Sequence, residues 1–384
     1  MGHHFGPLDR VTKQGVLKMG GKKRILFVTD TFGYGGAEKQ LAFVAEGLIA
    51  RGLNVGICNL NIRGEHEGQR AIDSRVEMFV SDIAYRNTIL SNYDFSAFIF
   101  KTAKTFHADL IVGFKQLGCY AVLVGKLLHI PAIISERADP YRAYENANFP
   151  LRIKLWLTNH AAGGVFQTAA AQLFYSKKLQ EKGVVIPNPI FVPKALPEID
   201  YSLRPKTVVS LGRIDNHQKR LDVMLDAFSI FHSSHPDYLL KIYGNGEDED
   251  LIKQWIIEKG LSQCVMMMGV SHNSLNDLSK EGIFLITSDF EGISNSLLEA
   301  MACGLPVVST DHTPGGARML INDGENGLLT PIGDVDALAR SLALFADDSK
   351  LAESCGRNAK EVLIRFAPSH ILDMWEEYLL GMLR

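Results

Sequence analysis

Cysteine is scarce in this sequence, and its distribution excludes two classes of protein. The five cysteines are odd in number, lie far apart and include no C-x-x-C pair. This pattern fits neither a disulfide-stabilised secreted domain nor a cysteine-rich zinc site, and it favours a reducing compartment. The scattered histidines show no metal-ligand spacing, and Asp248 and Asp250 indicate the acidic first turn of a helix. We therefore expect neither a metal ion nor an organic cofactor.

Long apolar runs are also lacking. No stretch approaches the roughly 20 residues of a membrane span, and the first ten residues lack the apolar core of a signal peptide. Residues 1–21 show no periodicity, so we expect a disordered leader. No run of Lys and Arg interleaved with aromatic residues is present, which disfavours nucleic acid as a partner. With 46% apolar and 22% charged residues in 384, the chain is expected to form two or three globular domains in the cytoplasm.

Neither half of the chain is balanced in charge, and the two halves have net charges of opposite sign. Residues 1–187 carry an excess of eight positive charges, whereas residues 188–384 carry an excess of eleven negative charges. A basic first half predicts contact with an anionic surface, such as phospholipid or a phosphate-bearing acceptor. An uneven scatter of surface charge is the alternative.

Short apolar runs alternate with segments of helical period throughout the chain, which predicts an α/β protein. The runs are apolar on both faces, as in the parallel strands of a doubly wound sheet. The predicted strands are 25–29, 55–60, 110–114, 132–134, 165–166, 207–211, 238–243, 265–268, 283–287 and 306–309. A proline-rich stretch at 187–193 interrupts the alternation and predicts a hinge. We expect domains at 22–187 and 188–366, and a C-terminal helix at 367–384 that crosses back to the first domain.

The turn after the first predicted strand is rich in glycine. Gly33, Gly35 and Gly36 precede a helix, where the backbone can approach a ligand closely and free N–H groups favour a phosphate. The spacing differs from G-x-G-x-x-G, and no acidic residue ends the second strand, which argues against a nicotinamide dinucleotide. A glycine turn without chemical meaning is the alternative.

Three further elements in the second half have the character of an anion and sugar site. Arg213 ends a strand and Lys219 begins the next helix, an arrangement that suits a diphosphate, although a basic surface loop is the alternative. Glu291 lies in a loop, where it can reach into a cleft. Glu299 lies in an otherwise apolar helix, where an unpaired carboxylate is costly and ribose hydroxyls are suitable partners.

Taken in order, these elements resemble the family-4 retaining glycosyltransferases of the GT-B fold, over essentially the whole chain from Lys22. The resemblance rests on the motif GGAE at Gly35–Glu38, PNP at 187–189, G-R...K at 212–219, G-x-G at Gly244–Gly246, E-x7-E at 291–299 and the stretch through Thr310 and beyond. It implies two Rossmann-like domains that face each other across a cleft.

The resemblance also implies roles for individual residues. Arg213 and Lys219 would bind the donor diphosphate, Glu299 the ribose, and Glu291 the transferred sugar. The remaining donor-site candidates are Gly35, Gly36, Gly244, Ile293, Ser294, Asn295 and Ser296.

Two departures from the family pattern stand out. Lys219 lies six positions after Arg213 rather than five, and Arg220 follows it, so either could complete the diphosphate site; we favour Lys219. The segment ISERADPY lacks the histidine that many members carry in the first domain. Glu136, Arg137 and Asp139, with Ser135, are therefore candidates for the acceptor side, and a structural ion pair of Arg137 is the alternative.

The function implied by the resemblance is retaining transfer of a sugar from a nucleotide diphosphate sugar, UDP-linked, to a hydroxyl acceptor without a metal. The acceptor would be a sugar or lipid-linked sugar in bacterial surface polysaccharide or glycolipid assembly. The basic first domain would then rest peripherally on the anionic inner membrane. Candidate anchors are Tyr93, Phe95, Phe98 and Phe100, with core positions of a helix as the alternative interpretation of this set. The alternatives are a catalytically silent GT-B scaffold and a UDP-sugar epimerase or hydrolase.

Overall fold

The computed structural model describes residues 22–33, 36–61, 70–81, 88–193, 196 and 199–384, without the side chains of residues 88–90. The expected leader at 1–21 and the candidate Gly35 lie outside these residues.

The first half of the described chain forms a parallel sheet of seven strands in the order β3-β2-β1-β4-β5-β6-β7. The strands are β1 Arg24–Thr29, β2 Asn54–Asn59, β3 Glu77–Val80, β4 Leu110–Phe114, β5 Ala132–Glu136, β6 Gly163–Phe166 and β7 Gly183–Val185. The order reverses between β1 and β4, and open α/β sheets bind ligands outside the carboxyl ends of strands at such a point.

Helices cover both faces of this sheet. They are α1 Gly36–Ala50, α2 Thr88–Phe106, α3 Gly118–Leu128, α4 Pro140–Ala143, α5 Phe149–Thr158, α6 Ala169–Leu173 and α7 Lys177–Glu181. In α1, Leu41, Val44 and Leu48 are buried on one face, as the helical period predicts. Gly52 follows with a φ of 90°, a conformation that suits the glycine found just past a helix end.

The second half repeats the design with a parallel sheet of six strands, in the order β10-β9-β8-β11-β12-β13 among the described residues. The strands are β8 Thr207–Leu211, β9 Leu239–Tyr243, β10 Val265–Gly269, β11 Ile283–Ile286, β12 Val307–Thr310 and β13 Leu328–Thr330. The order reverses between β8 and β11. The helices are α8 Asn216–Lys219, α9 Leu221–Ser234, α10 Glu249–Glu258, α11 Ser274–Leu278, α12 Asn295–Cys303, α13 Gly316–Leu320, α14 Val335–Asp347, α15 Ser349–Ala359, α16 Val362–Arg365 and α17 Pro368–Met382.

The last helix, α17, packs against the first sheet. Its buried residues Ile371, Trp375 and Leu379 belong to the same apolar cluster as Phe114, and the Trp375 ring stacks on the Phe114 ring with centroids 6.1 Å apart. The Tyr378 hydroxyl accepts a hydrogen bond of 2.7 Å from the backbone N–H of Gly164. The domain limits 187/188 and 366/367 themselves remain predictions.

All ten predicted strands are present, and the α/β class with two doubly wound sheets is confirmed. The strands that the sequence did not predict are β3, β7 and β13, each at the edge of a sheet and only three or four residues long. Short strands at a sheet edge show neither a continuous apolar run nor a clear alternation. All five cysteines are free and buried.

Candidate active site

The Lys219 and Glu291 side chains meet at the carboxyl edge of the second sheet, beside the β8/β11 reversal. The Lys219 ammonium group pairs directly with Oε1 of Glu291, and both side chains are largely buried. Two hydrogen bonds position this pair: the Ser288 hydroxyl lies 3.2 Å from the same carboxylate oxygen, and the Thr287 hydroxyl donates to the Lys219 carbonyl at 2.8 Å. The pair is therefore preorganised by the residues that follow β11.

The environment keeps Glu291 ionised. Burial alone would raise the pKa of this carboxyl, but the charge of Lys219, together with His312 and the hydrogen bonds of Lys219 and Ser288, leaves the pKa below its usual value. His312 is fully buried in the same region, and its burial lowers the pKa of the imidazole. The site thus combines a cation, a carboxylate and a largely uncharged histidine at neutral pH.

Arg213 lies close by but points elsewhere. Its guanidinium group lies 3.1 Å from Asp215 Oδ2 and donates to Gln218 Oε1 at 2.9 Å, and its side chain is 65% exposed. Arg220 is instead bound to Asp222 and Asp289, and hydrogen bonding to Asp222 raises its pKa further. Of the three basic residues, Lys219 is the one that faces Glu291.

Gly244 lies directly after β9, against the strand end that carries Gly212 and Arg213. Its φ of 142° is in the region that favours glycine. A Cβ atom at this position would lie 1.8 Å from the Gly212 carbonyl oxygen, which is impossible without moving backbone. Gly244 thus permits the close packing that shapes the edge around Gly212.

Helix α12 begins beside the Lys219–Glu291 pair. Ser294 caps it, since its hydroxyl accepts from the Leu297 N–H, and the Ser294 and Ser296 hydroxyl oxygens lie 3.2 Å apart. Ile293 is buried, whereas Asn295 is exposed towards the first domain. The amide of Asn295 lies 3.2 Å from where a Cβ of Gly36 would stand, so α12 and α1 approach each other across the cleft.

Glu299 lies one turn further along α12. Burial raises the pKa of its carboxyl, while a hydrogen bond from Ser274 and the charge of Lys39 lower it, and the result is a raised pKa. Together with Lys39 and Asn295, Glu299 lines a small cavity between α1, α12 and the 188–191 segment. The protein thus keeps a costly carboxylate at the edge of the interdomain cleft.

Several hydrogen bonds join the two domains around this cleft. The Thr168 hydroxyl donates to the Pro314 carbonyl at 2.6 Å, and the Thr313 hydroxyl donates to Asp139 Oδ2 at 2.5 Å. The other carboxylate oxygen of Asp139 caps α4 by accepting from the Tyr141 N–H. The acceptor-side candidate Asp139 therefore lies at the cleft, where it links the two domains.

The other acceptor-side candidates lie deeper. Strand β5 continues two residues past its predicted end, so Glu136 is buried and accepts hydrogen bonds from the Tyr175 hydroxyl and two backbone N–H groups. Arg137 forms no salt bridge within the described residues; its guanidinium carbon lies 5.1 Å from the Trp375 ring centre. Burial lowers the pKa of Arg137 to about 9. An acceptor role for these residues stays a prediction.

Sequence reasoning missed a charged cluster at the β1/β4 reversal of the first sheet. Lys115, directly after β4, pairs with Glu38 Oε1 at 2.6 Å and Asp30 Oδ1 at 3.1 Å, and the Thr31 hydroxyl donates to the same Glu38 oxygen at 2.9 Å. Lys115 has a φ of 55°, which is unusual for a residue with a side chain. A lysine immediately after an apolar strand is the signal that could have indicated the cluster.

Comparison with known proteins shows which proteins this chain is similar to. Residues 197–362, which include Lys219, Gly244, Glu291 and Glu299, match the family model described as glycosyl transferases group 1. This match lies within the second half of the chain. The HepE protein of Anabaena, solved in complex with UDP and glucose, superposes with a TM-score of 0.73 at 21% identity, over 92% of this chain and 98% of that one. The GT-B fold is thus confirmed.

Two curated glycosyltransferases of Campylobacter jejuni are similar to this chain. An N-acetylgalactosaminyltransferase named for a diacetylbacillosaminyl-diphospho-undecaprenol substrate is 32% identical over 47% of this chain and 48% of its own length. An alpha-1,4-N-acetyl-D-galactosaminyltransferase named for a PP-undecaprenol substrate is 26% identical over 92% of this chain and 97% of its own. Other relatives are longer, and the chain spans 21% of an exopolysaccharide phosphotransferase of Streptomyces coelicolor.

Two further findings concern metals and membranes. Within the described ranges, no group of three or more His, Cys, Asp or Glu side chains is arranged to hold a metal ion. No helix in the described part of the chain has both the length and the apolar character needed to cross a bilayer.

Proposed function

We propose that this protein transfers a sugar from a UDP-sugar to a hydroxyl acceptor, with retention of the anomeric configuration and without a metal ion. The observation that carries the proposal is the Lys219–Glu291 pair, held at the carboxyl edge of the donor-side sheet beside the start of α12. Lys219 would bind the diphosphate with Arg213, Glu291 the transferred sugar, and Glu299 the ribose.

The geometry suits a reaction in which negative charge grows on a leaving diphosphate. The bond from the anomeric carbon to the diphosphate breaks, the acceptor oxygen bonds to the same face of the sugar, and the acceptor proton passes to the leaving phosphate. A fixed ammonium group lowers the barrier of such a step because its attraction strengthens as charge develops. The hydrogen bonds between Asp139 and Thr313 and between Thr168 and Pro314 would keep the cleft closed to water during transfer.

The acceptor would be a sugar on a lipid-linked diphosphate at the cytoplasmic face of a bacterial membrane, in the assembly of surface polysaccharide or glycolipid. The names of the two Campylobacter relatives support this acceptor class. The Asp30–Glu38–Lys115 cluster, at the ligand-binding edge of the first sheet, would bind the polar part of the acceptor. The excess of positive charge in residues 1–187 would favour the anionic leaflet.

The test is a panel of nucleotide sugars, each incubated with the protein alone and with lipid-linked sugar acceptors, followed by NMR of the product. Transfer from a UDP-sugar with a retained anomeric configuration, unaffected by EDTA, is the expected result. An isomerised or hydrolysed donor without an acceptor would indicate an epimerase or hydrolase. No turnover together with undetectable UDP binding would favour a silent scaffold.

A further inference from the structure

Helix α5 exposes an apolar face to solvent. Phe149, Ile153 and Trp156, spaced at i, i+4 and i+7, are 75%, 44% and 58% exposed. The flanks of this face are occupied, because Leu155 and Leu157 pack on the core of the first domain. A row of large apolar side chains on the outside of a helix marks an interaction surface rather than ordinary scatter.

A groove of about 590 Å³ runs beside this face, between α2, α3 and α5. This size is within the roughly 300–1,000 Å³ of ligand sites. Its apolar lining includes Tyr93, Ala97, Phe100, Leu123, Leu127 and Ile153. The polar groups in its wall are already engaged: the Ser96 hydroxyl donates to the Asn92 carbonyl at 2.8 Å, and the Tyr120 hydroxyl bonds the Asn92 side chain. The groove therefore suits a hydrocarbon chain.

Helix α5, beside the groove, carries only positive charges. Residues 149–158 contain Arg152 and Lys154 and no acidic residue. Neither takes part in an ion pair within the described ranges; the Lys154 ammonium lies 5.2 Å from the Tyr120 ring centre. Exposed Phe and Trp on a helix that carries unpaired Lys and Arg are typical of helices lying in the head-group layer of an anionic membrane.

The groove reaches the carboxyl edge of the first sheet. The helices α2, α3 and α5 share one apolar cluster on the same face of the sheet, and each follows the carboxyl end of a strand. The lining residues Cys119 and Pro150 lie in the first turns of α3 and α5, at the sheet edge that carries Lys115. A lipid chain in the groove would thus have its head group near the cleft.

The four expected membrane anchors differ in exposure. Tyr93 is 72% exposed, whereas Phe95 is 3% exposed and Phe98 and Phe100 pack partly against the core. Of that set, Tyr93 alone is fully available, and the apolar surface comes mainly from α5.

We propose that the α5 face lies in the head-group layer of an anionic bilayer and that the α2–α3–α5 groove takes the hydrocarbon chain of one of its lipids. The proposal rests on the proposed function only in identifying the membrane as the place of the acceptor. A lipid fits this surface because the groove is lined by apolar side chains and α5 carries cations without an ion-pair partner among the described residues.

The experiment is co-sedimentation with phosphatidylglycerol vesicles and with phosphatidylcholine vesicles. The wild-type protein should bind the anionic vesicles, and Trp156→Ser should weaken this binding about tenfold. Arg152→Gln and Lys154→Gln should each weaken it about fivefold and reduce its salt dependence. Ala97→Gln places a polar side chain at the mouth of the groove, leaves α5 intact, and should also weaken binding. The control is Ile257→Ser, on α10 of the second domain, where Ile257 is 70% exposed.

Equal loss in Ile257→Ser and Trp156→Ser, or no preference of the wild type for anionic vesicles, would overturn the proposal. Unchanged binding of Ala97→Gln would remove the groove from it. A concentration-dependent dimer in sedimentation velocity that Trp156→Ser abolishes would assign the face to a second copy instead. Two further measurements separate this proposal from the proposed function: UDP affinity by calorimetry and transfer to a lipid-free acceptor. Neither should change in Trp156→Ser, whatever its vesicle binding.

Discussion

Lys219 and Glu291, which lie 72 positions apart in the sequence, form a largely buried ion pair. Each residue is held from a different side, Lys219 by the hydroxyl of Thr287 on its carbonyl and Glu291 by the hydroxyl of Ser288 on its carboxylate. Protein groups alone thus hold the two charges in a fixed position. Such preorganisation is what electrostatic stabilisation of a leaving group requires.

Removing Lys219 should lower both stability and activity, and a second substitution should restore only the stability. We expect Lys219→Met to lower the free energy of unfolding by about 3 kcal/mol, because it leaves Glu291 buried without its cation. It should also lower turnover by roughly 10²- to 10³-fold. In the double variant Lys219→Met/Glu291→Gln, thermal unfolding should recover towards the wild type while activity does not. Recovery of both would show that the pair is only structural.

The pH dependence of this pair has a defined sign. The pKa of Glu291 is below the ordinary 4.5 in the folded protein, so the pair stabilises the fold above that pH and the contribution is lost as the pH falls through the folded value. Thermal unfolding of wild type and Lys219→Met should therefore differ most near neutral pH and converge in acid. A constant difference down to acid pH would contradict this assignment.

Arg220 offers a matched comparison for the adjacent lysine. Because it binds Asp222 and Asp289 rather than Glu291, Arg220→Met should lower stability while turnover per folded molecule stays close to that of the wild type. Steady-state kinetics, with the turnover number divided by the fraction of folded protein, would measure the effect on activity. Loss of turnover in Arg220→Met with full activity in Lys219→Met would reverse our choice between them.

Glu299 should behave in the opposite way to Glu291. Its pKa is raised by burial, so ionisation above the ordinary value of 4.5 costs stability in the folded state. We expect Glu299→Gln to unfold at a higher temperature than the wild type at pH 7 but not at pH 4. Affinity for UDP should fall about tenfold to a hundredfold by calorimetry, because hydrogen bonds to a charged group contribute about 1.5–3 kcal/mol. Unchanged UDP affinity in a folded variant would remove the ribose role.

The sequence indicated the second-domain residues of this candidate site far better than those of the first domain. Lys219, Gly244, Glu291 and Glu299 belong to motifs that are local in the chain, so their order and spacing were informative. The contact between Lys219 and Glu291 itself was not predicted, because the two side chains meet from segments that follow different strands, β8 and β11.

Around β4 and β5 of the first domain, the same reasoning lacked local motifs. Strand β5 extends through Glu136, and a strand end displaced by two residues changes a cleft residue into a buried one. Asp30 and Lys115 are 85 positions apart, and only the strand order brings them together. Which strands neighbour each other across a reversal is a property of the whole sheet.

The final prediction concerns that first-sheet cluster. Lys115→Met leaves Glu38, whose side chain is 7% exposed, without its cation, and should lower the free energy of unfolding by about 1–3 kcal/mol. The pKa of Glu38 is lowered because Lys115 and Thr31 outweigh the effect of burial, so the stability difference should be present above pH 4.5 and vanish in acid. If the cluster binds the acceptor, kcat/KM for the acceptor should fall while the affinity for UDP stays unchanged. The double variant Lys115→Met/Glu38→Gln controls for stability: it should regain thermal stability but not acceptor turnover. Regained turnover, or an equal loss of UDP affinity, would assign the cluster to the fold rather than to the acceptor.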